Sequence, residues 1–100
     1  MPKIHLSVPH VLGQEEAKRR VVNLLAELRA KFGDHASDVT ETWNGYVNGV
    51  SFRALGFSIA GTLEVQPAQL LIDIHLPLAA WPFKGRVESE ILSRARELLA

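Results

Sequence analysis

His10-Val11-Leu12-Gly13-Gln14-Glu15-Glu16-Ala17-Lys18-Arg19-Arg20-Val21 is the stretch whose reading decides the fold. Upstream of it, Ile4, Leu6 and Val8 alternate with His5 and Ser7, the period of a half-buried strand. Pro9 and Gly13 end that strand. From Gln14 onward the period changes. Ala17, Val21, Leu24, Leu25, Leu28 and Phe32 recur every three or four residues, one continuous stripe of an amphipathic helix over 14–32. Glu15 and Glu16 suit the positive end of that helix, and Arg29 and Lys31 suit its negative end. Glu15–Arg19, Glu16–Arg20 and Glu27–Lys31 stand four apart in the favourable order. Gly33 is the expected stop.

Beyond the helix the period returns to two. Val39 to Trp43 reads as a strand. Asn44-Gly45 and Asn48-Gly49 are both turn signals. Val50, Phe52 and Ala54 then alternate with Ser51, Arg53 and Leu55. Gly56 marks the next turn. Ile59, Gly61, Leu63 and Val65 alternate with Ala60, Thr62 and Glu64. After Pro67, Leu70, Ile72, Ile74 and Leu76 alternate with Leu71, Asp73 and His75. Short turns between alternating strands imply an antiparallel meander with one face buried. Pro82 is placed to open a last helix, whose inward stripe is Val87, Ile91, Ala95 and Leu98, with Leu99 at its edge.

The order β-α-β-β-β-β-α predicts one α+β domain over 1–100: an antiparallel sheet of about five strands with both helices on one face. This order resembles a trimmed helix-grip fold, an architecture that carries no function by itself.

Composition narrows the function. The chain has 100 residues, 47% of them hydrophobic and 22% charged, as in ordinary soluble domains. It contains no cysteine, which excludes disulfides, a thiolate nucleophile and cysteine-based zinc sites. No apolar run follows the charge near the N-terminus, and none reaches membrane-spanning length, so a cytoplasmic protein is expected. Eleven basic and eleven acidic residues cancel. No net field attracts nucleic acid, and little self-repulsion opposes a homodimer. Residues 14–31 carry five basic and three acidic groups, whereas 34–76 carry one basic against five acidic. Either the basic helix complements the acidic sheet within the molecule, or it turns a basic face to an anionic partner.

Taken in order, His10-x-Leu12-Gly13-x-x-Glu16-Ala17-x-x-Arg20-Val21, Trp43-Asn44-Gly45, Phe52 and Gly56, Ile59-x-Gly61-x-Leu63-x-Val65, Leu76-Pro77 and Phe83-Lys84-Gly85-x-Val87-Glu88 resemble the polyhydroxyalkanoic acid system proteins. The resemblance runs through nearly the whole chain. It implies a small bacterial protein encoded beside genes of polyhydroxyalkanoate storage, with an accessory, non-enzymatic role at the granule surface or on its associated proteins. It supplies no catalytic residues.

The residues themselves offer few sites. His10 and Arg20 form one polar candidate, for orienting a ligand or binding an anion; a loop contact for His10 and a paired Arg20 are the plainer readings. Asp73 and His75 share a strand face, and His5 and Ser7 share the matching face of the first strand, so a Ser–His–Asp arrangement would arise if those strands adjoin. It would still need an oxyanion site. No nucleophile elbow, phosphate loop or tight His-x-x-x-His spacing is present, and neither cofactor nor metal is expected. Leu55, Leu71 and Ala60 fall on the outer sheet face, where a cluster would suggest a partner surface. Trp81-Pro82-Phe83 is either a plug closing one end of the core or a surface anchor for an apolar polymer or another protein. The expected function is therefore an accessory protein of polyhydroxyalkanoate storage acting by association. A binder of small apolar (lipid or acyl) ligands is the alternative, and a hydrolase using Asp73 and His75 comes third.

Overall fold

A computed structural model describes residues 3–54 and 56–100, apart from the side chain of Phe32. The chain runs β1 (Lys3–Pro9), α1 (Gln14–Phe32), β2 (Ser37–Asn44), β3 (Val47–Ala54), β4 (Phe57–Val65), β5 (Gln69–His75) and α2 (Lys84–Leu98). Two short 3-10 helices, Gly33–His35 and Leu78–Phe83, follow α1 and precede α2. The sheet order is β1-β5-β4-β3-β2, with every neighbouring pair antiparallel. The expected α+β architecture and element order are therefore observed.

β1 and β2 follow one another in sequence but lie at opposite edges. The long helix α1 carries the chain from one edge to the other. Cross-strand register puts Ile4, Leu6 and Val8 opposite Ile74, Ile72 and Leu70, so the apolar sides of β1 and β5 share the inner face. Leu63 and Val65 of β4 continue it. Ala17 and Val21 of α1, Ala95 of α2 and Leu99 just beyond it close over these strands to form the core.

Several local details differ from the sequence-based expectation. Only the first Asn-Gly pair makes a turn. Asn44 faces Val47 across a two-residue hairpin whose central residues are Gly45 and Tyr46. Gly45 has φ 63°, the positive value that primed hairpin turns require at their first central position. The second pair, Asn48-Gly49, lies within β3. Asn48 is buried there and donates to Glu41 Oε2 at 3.1 Å, a bond that holds its amide in the sheet. Gly33 does follow the last residue of α1, but in right-handed conformation (φ −59°), so the chain tightens into a 3-10 turn. The left-handed kink comes later, at Asp38 (φ 53°), where β2 slips register between Ser37 and Thr40. Pro82 does not open α2. It lies within the preceding 3-10 helix, and the N–H of Lys84 bonds the carbonyl of Trp81. Leu99, expected at the edge of its helix, is buried.

The two layers meet tightly over β1 but part toward β2 and β3. There Leu25 and Leu28 of α1 stand off from Val50 and Phe52 of β3. Two connected cavities of about 330 and 370 Å³ share these four residues as walls. One is bordered by Arg29, Val39 and Glu41. The other runs beneath Ile91 and Arg94 of α2 to a floor at Gly61 and Ile72. Gly61 contributes no side chain to that floor. A Cβ there would come within 3.0 Å of the Asp73 carbonyl oxygen, so the close strand approach that requires glycine also leaves the space above it unfilled.

Candidate functional site

The polar residues of the opening motif assemble into joints between elements. His10 is buried. Its Nδ1 accepts the Leu12 backbone N–H at 3.2 Å, which leaves the proton on Nε2 to be donated to the Gln66 carbonyl at 3.0 Å. The His10 N–H also bonds the Ala68 carbonyl. The imidazole thus ties the β1–α1 turn to the β4–β5 turn. Gln14 adds a bond to the Val65 carbonyl.

Arg20 is half-buried. Its Nε donates to Glu16 at 3.0 Å, and its Nη1 donates to the carbonyls of Leu98 and Ala100, each at 2.9 Å. The guanidinium therefore sits against the carbonyl end of α2, where the helix leaves acceptors unpaired. The structure does not bring His10 and Arg20 to a common cavity; each serves a different junction.

Charge complementarity between helix and sheet is also internal. Lys18 donates to the Gly45 carbonyl at 2.7 Å and lies over the rings of Trp43 and Tyr46. Tyr46 donates to Glu15, which raises the pKa of its phenol. Arg29 pairs with Glu41 at 3.4 Å.

Acid lability follows from two carboxylates, Glu16 and Asp73. Hydrogen bonds from Arg19 and then Arg20 hold Glu16 at about 2. The hydrogen bond from His5, aided by the charge of Lys3, holds Asp73 below its usual range. A depressed folded pKa gives stability that is complete above the unfolded value, near 4, and lost as pH falls through the folded value. Urea midpoints should therefore decline from about pH 4.5 toward 2. Glu16→Gln combined with Asp73→Asn should flatten that decline, and an unchanged slope would refute the assignment.

On the outer face β1 adjoins β5, as a Ser–His–Asp arrangement would need. His5 Nδ1 lies 2.5 Å from Asp73 Oδ1. The third member is elsewhere: the Ser7 hydroxyl donates to Gln69 at 2.7 Å. His75 is exposed and sits opposite Lys3 and Ala60, and the imidazole bonded to Asp73 is that of His5. Leu71 lies between Ser7 and Glu64, and Ala60 between Ser51 and His75, so these two apolar residues do not form a patch. Leu55 lies outside the described residues.

The connector before α2 behaves differently. Of the residues from Leu78 to Phe83 only Ala80 is buried. Leu78, Trp81 and Phe83 are 76%, 37% and 57% exposed. The connector is thus a plug only in part: Ala80 turns inward and Trp81 is mostly covered, whereas Leu78 and Phe83 stand outside. Lys84 lies 5.4 Å from the centre of the Trp81 ring and pairs with Glu88 at 2.9 Å. Sequence reasoning singled out Trp81 and Phe83 but passed over Leu78 and Lys84. Their spacing of three on either side of Trp81 was the available signal.

The class is thus set by architecture: a two-layer α+β domain with an exposed aromatic turn and an incompletely filled interior. Residues 4–99 match the model of the family described as "Putative polyhydroxyalkanoic acid system protein", and the chain belongs to that family. No curated protein and no solved structure matches it. No helix among the described residues is long and apolar enough to cross a membrane.

Proposed function

We propose that the protein is a non-enzymatic accessory factor of polyhydroxyalkanoate storage that binds the apolar granule surface through Leu78, Trp81 and Phe83. The carrying observation is the exposure of Leu78 and Phe83, with part of the Trp81 ring, on one short turn. Aromatic side chains have few rotatable bonds and lose little conformational freedom on docking. Transferring the exposed parts of the two rings from water is worth on the order of 3–5 kcal/mol. Family membership supplies the polymer context. The commitment of the Ser7 hydroxyl to Gln69 favours association over hydrolysis by the His5–Asp73 pair.

The test is fractionation of polymer-accumulating cells. The wild-type chain should sediment with granules, and Leu78→Ser with Phe83→Ser, both at exposed positions, should reduce the granule-bound share at least tenfold while the chain stays folded by circular dichroism. A wild-type chain that stays in the supernatant, apart from granules and their proteins, would end this reading.

A further inference from the structure

We propose that the cavity between the helices and the sheet binds a single aliphatic chain bearing a carboxylate, with the carboxylate at Arg94 and the chain running toward Leu28. This site is separate from the aromatic turn and goes beyond granule association.

The first argument is size and shape. The two connected lobes, about 330 and 370 Å³, lie within the usual range for small-molecule sites. Leu70 and Ile72 border the inner lobe yet are only 2% and 4% exposed. These two side chains form the packed base of the space, and the half-buried residues around them form its walls. An aliphatic chain can lie along this space with its carboxylate at the exposed Arg94 and its tail toward Leu28.

The second argument is chemistry. The walls are aliphatic or aromatic along most of their length: Leu25, Leu28, Val50 and Phe52 at the junction, Ile91 and Leu98 further in. Such walls recognise methylene groups and little else. Two guanidinium groups border the space. Arg29 is engaged by Glu41 at 3.4 Å, and Glu41 also accepts from Asn48. Arg94 reaches its partner Glu90 only at 4.0 Å. A ligand carboxylate would thus meet less competition at Arg94, where it would gain a charge-assisted bond.

Calorimetric titration of the full chain with octanoate, decanoate and decanol, below micelle-forming concentrations, tests the proposal. Each methylene should tighten binding about threefold to fourfold, so decanoate should bind about tenfold tighter than octanoate. Arg94→Gln should weaken decanoate at least fivefold and leave decanol unchanged. Val50→Trp should block the junction and weaken both ligands at least tenfold; Leu28→Trp serves the same purpose if the first variant misfolds. Absence of binding, no dependence on chain length, or equal binding by the blocked variants would overturn the proposal. So would light scattering that shows a dimer dissociated by Leu28→Glu, because the trough would then be filled by a second copy.

Discussion

Replacing Arg20 by Met should lower the stability of the protein by about 2–3 kcal/mol. The estimate follows from the three bonds its guanidinium makes, one to Glu16 and two to the carbonyls of Leu98 and Ala100. Bonds with a charged partner contribute roughly 1.5–3 kcal/mol each, but part of that returns when water reaches the freed carbonyls. For a chain of this length the loss corresponds to a fall in melting temperature on the order of 10–20 °C. Arg20→Lys should recover less than half, because an ammonium on a flexible stem cannot hold three acceptors in a fixed fork. Urea unfolding of the three proteins at neutral pH decides the matter. A loss under about 0.5 kcal/mol, the range of ordinary surface changes, would mean that Arg20 does not clamp α1 to α2.

Two leucines should respond unequally to the same truncation. Leu6→Ala removes a side chain from the closed part of the core and should cost about 2–4 kcal/mol. Leu28→Ala removes one that borders the trough and is only half-buried. It gives up fewer packing partners and leaves no sealed void, so the cost should stay below about 1 kcal/mol. The difference measures how unevenly the interior is filled. Equal costs would show that the helices close over β3 in solution, which would also leave no room for an aliphatic chain.

Much of this fold is legible in the residues. The change from period two to period four at Gln14 marks the start of α1, and its last residue is Phe32, as the stripe predicts. The alternation in β1 and β5 fixes which sides face inward, and their pairing follows the same pattern. What stays hidden depends on tertiary partners. Asn48-Gly49 has turn chemistry, yet the side-chain bond to Glu41 and pairing on both edges keep it in a strand. The connector at Leu78–Phe83 shows its bulk in sequence, but only the 3-10 geometry reveals that Ala80 is the residue turned inward. The trough is the least legible feature. Periodicity says that the stripe of α1 and the inner face of β3 are both apolar; it does not say how far apart they stand. The motif residues were easier to notice than to interpret. His10 and Arg20 attract attention as polar groups near a turn, and their partners, Gln66 and Leu98, lie 56 and 78 residues away.

The pairing of β1 with β5 also governs how the protein can be made. His5 and Asp73 are separated by 68 residues. At ordinary translation speeds of about 5–20 residues per second, β1 waits on the order of 3–14 s before its partner emerges from the ribosome. During that interval Ile4, Leu6 and Val8 have no strand beside them, whereas β2, β3 and β4 pair with strands next to them in sequence. The meander is therefore the natural first structure, and the N-terminal strand and helix join it late. A nascent chain halted before β5 would hold a sticky amino-terminal segment, the kind of sequence that chaperones at the tunnel exit retain.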